Sequence, residues 1–241
     1  MQTKIYLLAI TLFFISCAGN KQQEVKQQTS SNVNALSEKE KTFCVETLQG
    51  YFNSDSLQSK LWESAKAAKA AALAMNKNDT TDFLLYFRQL TVEVDSLSKS
   101  GIKLLNTNDY NSLLNMLEKN QGDFRAHPFN DTEQDWNFCQ MIFILNQHIS
   151  SEEKAIDEYL KDTEITSAKL QFFYTLNNTL HPLYIPFYED RAMAYYRKND
   201  IPKAMEVLNK LLSDVKNTLG EKSEDYEDIL SAIEKLKNGK Q

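Results

Sequence analysis

Residues 185–212 read IPFYEDRAMAYYRKNDIPKAMEVLNKLL. Tyr188, Ala192 and Tyr195 recur at helical spacing before Asn199-Asp200, and Ala204 and Leu208 recur one turn apart after it. Asn-Asp supplies a short turn, and then, at Asp200, a side-chain oxygen able to cap the first amides of the next helix. Ala192 and Ala204 are small enough to let two antiparallel helices approach, and the tyrosines fill the space beside them. The stretch is therefore a helical hairpin.

The same punctuation recurs upstream. MNKNDTTDF at 75–83 and LNTNDYNSL at 105–113 each separate two apolar-periodic segments, with Asp79 and Asp109 placed to cap the following helix. SSEEKA at 150–155 offers Ser150 and Glu153 as a capping box, and Ser37 with Glu40 offers another, which opens a first helix running to about Leu48, before Gly50. From Leu36 onward, apolar residues fall three and four apart, broken by only four prolines and six glycines in the chain, with no strand-like alternation. The body, residues 35–241, is predicted to be all-α. The junctions are unevenly spaced, which does not support a strict array and leaves ordinary hairpins beside true repeats.

Residues 185–212 resemble a tetratricopeptide repeat (TPR). Tyr188, Ala192, Tyr195, Ala204 and Leu208 occupy that family's aromatic, small and large packing positions; Arg191 and Leu211 depart from it. Residues 64–90 are a weaker echo with a small-rich first helix. After Gly220, a candidate left-handed helix end, Ser223 is placed to cap a last helix with Tyr226, Ile229, Ile233 and Leu236 on one stripe. The resemblance implies hairpins stacked as a short TPR-like solenoid. With Tyr188, Ala192 and Tyr195 turned to the partner helix, Glu189, Met193, Tyr196 and Arg197 form the next stripe, the face a solenoid offers to a protein or peptide partner. Aromatic and Arg side chains dominate such contacts.

At the other end, Lys4 precedes an apolar run, Ile5 to Ile15, too short for the roughly 20 residues that span a bilayer. It reads as a signal-peptide core, residues 1–16. Phe14-Ile15-Ser16-Cys17 resembles the lipobox of bacterial lipoproteins, which implies acylation of Cys17 and an anchor in the outer membrane, facing the periplasm or the surface. An ordinary secretory signal or an uncleaved anchor would share the same core. Residues 17–34, rich in Gln, Asn and Ser, are predicted to be a disordered tether. Lys4 is the only charge before Cys17, so the net charge of −6 becomes about −7 beyond it, which argues against nucleic-acid binding.

No residue pattern names a reaction. His127, His148 and His181 are isolated, and two of them precede proline, pointing to surface or turn positions. Cys44 and Cys139 either pair or stay as buried thiols. No metal-ligand spacing, phosphate loop or nucleophile motif is present, so no metal, cofactor or catalytic residue is expected. Acidic pairs such as Glu152-Glu153 and the run from Glu224 to Asp228 read as solvated helix faces. Phe172, Phe173, Tyr174, Tyr184, Phe187, Tyr188, Tyr195 and Tyr196 are read mainly as core filling. Asp55-Ser56-Leu57, Asp79-Thr80-Thr81 and Asp95-Ser96-Leu97, read as exposed loops, resemble the short Asp-Ser/Thr-apolar sites glycosylated on exported bacterial proteins. The expectation is a lipid-anchored scaffold or adaptor of an envelope assembly, without catalysis. An all-α envelope enzyme acting on glycans or peptides, or a small nutrient-binding lipoprotein, is the alternative.

Overall fold

The computed structural model describes residues 35–76, 82–121 and 131–238. Among these every regular element is a helix. They divide into two compact units, one within residues 35–162 and one within 163–238. Cys17, the tether, His127 and the Asp79-Thr80-Thr81 site lie outside the described residues.

In the first unit, α1 (Glu38–Phe52) packs on α3 (Phe83–Asn106) and α5 (Thr132–Ile149). The long α2 (Asp55–Met75) packs on α3, and α4 (Tyr110–Gln121) bridges α3 and α5. The last helix of this unit, α6 (Glu152–Asp162), packs on α5. The core is largely aliphatic: Leu48, Leu105, Leu113, Leu117, Met141, Ile144 and Leu145 are fully buried. Gly101 matters here, because a β-carbon at its position would stand 3.2 Å from Met116 Cε. That is a tight contact with the flexible end of Met116, which lies on α4 where it packs on α3.

Ser37 and Glu40 do form a capping box, Ser37 Oγ accepting from the Glu40 amide while the Glu40 carboxylate accepts from the Ser37 amide at 2.9 Å. The helix does not stop before Gly50, however. Burial of Phe52 below Leu48 carries it one turn further, against the roughly 1 kcal/mol that a mid-helix glycine costs. Two other junctions shift. The cap of α3 is Asp82, whose carboxylate accepts from Leu84 N–H at 3.1 Å. Ser150 ends α5 by donating its hydroxyl to the Asn146 carbonyl at 2.8 Å, so Ser151 caps α6 instead, accepting from Lys154 N–H at 3.3 Å. Asp55-Ser56-Leu57 and Asp95-Ser96-Leu97 lie inside α2 and α3, not in loops.

In the second unit, α7 (Glu164–Asn177) leads through a loop to α8 (Tyr184–Arg197). Then α9 (Ile201–Leu219) returns along α8, and α10 (Glu224–Asn238) packs on α9. Ala192 and Ala204 are buried where α8 and α9 cross, with Tyr188 and Leu208 buried beside them and Tyr195 half-buried. Gly220 ends α9 with a positive φ of 87°, a conformation that suits glycine. Ser223 Oγ accepts from Tyr226 N–H at 3.2 Å, and α10 buries Ile229 and Ile233 with Tyr226 and Leu236 at the margin.

Candidate functional site

Three parts of the second unit line a half-open cavity of about 300 Å3. The loop 178–182 supplies Asn178, Thr179, Leu180, His181 and Pro182; α8 supplies Ile185, Pro186 and Glu189; the end of α9 and start of α10 supply Thr218, Leu219 and Asp225.

The loop exists because Asn178 takes the left-handed conformation, φ 52°, which stops α7. His181 then opens α8. Its Nδ1 accepts from Leu183 N–H at 3.2 Å and its carbonyl accepts from Tyr184 N–H at 2.8 Å, so the ring does the capping that Leu183 cannot. An accepting Nδ1 places the neutral ring's proton on Nε2. Edge-on contact with Phe173, at 5.1 Å between centroids, fixes its plane.

On the other side of α8, aromatic rings set the distance to α7. The Tyr184 and Tyr188 rings meet at 4.7 Å between centroids, tilted by 51°, and their hydroxyls reach across the unit. Tyr184 donates to Asp214 at 2.8 Å and Tyr188 meets the Ser167 hydroxyl at 3.0 Å. Burial, and then the Asp214 carboxylate, push the Tyr184 phenol above its ordinary range. Arg191, 6% exposed, spans the same gap, donating to Thr163 Oγ1 at 2.7 Å and to Glu164 at 2.6 Å. This arginine, a departure from the TPR-like pattern, is an anchor between α7 and α8.

Of the four stripe residues, only Glu189 lines the cavity. Met193 and Arg197 are half-buried, and Tyr196 is 45% exposed. Tyr196 lies about 10 Å further along the helix by axial rise. Burial raises the Glu189 carboxyl from 4.5 to about 7, aided by the negative charges of Asp228 and Asp225 on α10. Asp225 is raised too, first by burial and then by Asp228 and Glu224. The acidic start of α10 is thus partly turned to the cavity, with Asp228 on the exposed side, rather than wholly a solvated face.

Cys44 and Cys139 form no disulfide, and burial, then Glu40, pushes the Cys44 thiol up to about 12. His148 is half-buried in α5 against the Tyr110 ring, not in a turn. Of the aromatic run, Tyr184, Phe187 and Tyr188 are buried, whereas Phe172 is 68% exposed. Among the described residues no group of His, Cys, Asp or Glu is arranged to hold a metal ion, and no helix is long and apolar enough to cross a membrane. The chain matches no family model, no curated protein and no solved structure.

Proposed function

We propose that this chain is a lipid-anchored helical adaptor of the outer membrane, held by Cys17 and its tether, that binds a protein or peptide partner through a TPR-like C-terminal unit without catalysing a reaction. One observation carries the reading: α8 presents exposed Tyr196 and half-buried Met193 and Arg197 on the side that begins, at Glu189, with a cavity. An exposed aromatic and an arginine beside a concave site are what a binding hot spot uses. Membrane fractionation and intact mass of wild type against Cys17→Ala test the anchor: acylated wild type in the outer membrane and a soluble or unprocessed variant are expected. Cross-linking at α8, compared with Tyr196→Ala plus Arg197→Ala, tests the face; identical cross-linked partners in both would reject it.

A second reading has one observation in its favour. Glu189, Asp225 and His181 line the same cavity, and a carboxyl raised to about 7 is suited to proton transfer. An all-α envelope enzyme would hydrolyse peptides or glycans and lose that activity in Glu189→Gln; no turnover of either substrate class rejects it.

A further inference from the structure

We propose that the cavity between the 178–182 loop, α8 and α10 receives a cationic nitrogen, ammonium or guanidinium, carried on an aliphatic stem. The inference rests on the partner-binding reading of this face and narrows it to a ligand chemistry.

Size comes first. At about 300 Å3 the cavity is at the small end of ligand sites, which run from about 300 to 1,000 Å3, a size that suits one side chain. Wall chemistry comes second. Leu180, Pro182, Ile185, Pro186 and Leu219 give methylene and methyl surface suited to a hydrocarbon stem. The charged lining residues are Glu189 and Asp225, both carboxylic.

Compensation comes third. Among the described residues no Lys or Arg pairs with Glu189, although its surroundings already hold two further acids, Asp225 and Asp228. Glu189 is half-buried, and a partly desolvated carboxylate is stabilised by an opposite charge, which an entering cation supplies. The other titratable lining group is His181 from the loop; Glu224, exposed on α10, acts on Asp225 by its charge, and α9 contributes uncharged Thr218 and Leu219. Asp228, on α10, acts from the same side as Asp225.

The charge state of Glu189 then governs affinity. Its carboxyl, raised to about 7, is about nine-tenths ionised at pH 8 and about one-tenth at pH 6, so cation affinity falls about tenfold between them. The cation in turn favours the ionised carboxyl by the same linkage.

The test is a shift titration of the purified full-length protein, read at Thr179, Ile185 and Leu219. The probes are N-acetyl-lysine methylamide, N-acetyl-arginine methylamide, n-hexylamine and n-hexanol. Saturating shifts with the charged probes, at least tenfold weaker binding of n-hexanol, the tenfold fall from pH 8 to pH 6 and its loss in Glu189→Gln are the expected results. A lysine or arginine probe that outbinds hexylamine assigns the group to a protein partner; the reverse assigns it to a free amine.

Asp225→Asn provides a second variant on a different helix, with weakened cation binding and a pH dependence that is kept but moved to lower pH, because Asp225 helps to raise the Glu189 carboxyl. Hexanol binding as tight as hexylamine, no saturation by any probe, or a pH dependence that survives Glu189→Gln overturns the inference. Partner cross-linking that depends on Tyr196 and Arg197 while no cation enters the cavity overturns it and leaves the partner-binding reading intact. Cation binding with cross-linking indifferent to both residues upholds the cavity and rejects the wider face.

Discussion

Asn108-Asp109 in the first unit and Asn199-Asp200 in the second make one turn twice. In each, Asn has positive φ, 57° and 61°, and donates to the carbonyl three residues back, Leu105 or Tyr196, at 3.1 and 2.8 Å. In each, the Asp amide reaches the carbonyl five residues back, Leu104 or Tyr195, at 2.9 Å. The Asp carboxylate then caps the next helix through Ser112 or Lys203 N–H, at 3.1 and 3.3 Å. What surrounds the two turns differs. The first lies in a unit with a largely aliphatic core, its Asn108 Oδ1 accepting from the buried Tyr110 hydroxyl at 2.9 Å; the second lies in a unit whose α7 and α8 are bridged by tyrosines and an arginine. Connector chemistry is local, whereas the space between helices depends on which side chains fill it.

Removing a ring from the second unit should have the largest effect. Phe187→Ala is expected to cost about 3–5 kcal/mol in urea unfolding, against about 2–5 for Leu48→Ala in the aliphatic core. A loss under about 1 kcal/mol at Phe187 would show that the second unit does not rest on ring packing. Next is Tyr184→Phe, which keeps the ring and removes the hydroxyl that Asp214 accepts from. A hydrogen bond to a charged group is worth about 1.5–3 kcal/mol, and a loss in that range would make the polar ties, not the rings alone, part of what holds the unit.

Glu189 follows. Its folded pKa lies above the unfolded value, so between pH 4.5 and 7 the folded chain keeps a proton that the unfolded chain has lost. Stability therefore falls as pH rises through that window, and the loss is complete above it. Glu189→Gln should remove the fall and gain on the order of 1–2 kcal/mol relative to wild type at pH 8, with little difference at pH 4, discounting for residual solvation. Parallel urea curves at the two pH values for wild type and variant check it. An unchanged difference would mean that Glu189 is as well solvated as an ordinary surface carboxyl.

Sequence reading found the hairpin at 185–212, the small residues at its crossing and the capping role of Asp109 and Asp200, because each depends on neighbours within one turn. It misplaced ends where a rival satisfied the same group: Ser150 returned to Asn146, and Asp82 capped α3. The all-helical class was legible from spacing. The cavity was not, since it brings Asn178 and His181 against Asp225, more than 40 residues away. The available signals were the breaks around His181-Pro182 and Pro186, which mark a loop set against a helix start. Arg191 looked like a mismatch because its partners, Thr163 and Glu164, stand on another helix and at its cap.

The smallest effect is the most direct test of the paired turns. Asp109→Ala and Asp200→Ala each remove one carboxylate acceptor at a helix start, a loss of about 1 kcal/mol when the cap acts locally. Asn199→Gly should be nearly neutral, since glycine adopts positive φ without a β-carbon penalty, whereas Asn108→Gly also removes the Oδ1 that accepts from the Tyr110 hydroxyl at 2.9 Å and should cost about 1 kcal/mol. Matching Asp→Ala losses at the two turns, read from urea midpoints at constant slope, would establish that the capping works independently of its surroundings. If Asp200→Ala cost markedly more than Asp109→Ala, the turn in the second unit would be supported by its neighbours. The nearest is Lys203, which pairs with Asp200 at 3.5 Å and lies over the Tyr195 ring at 5.6 Å, so Lys203→Met would then reproduce the excess.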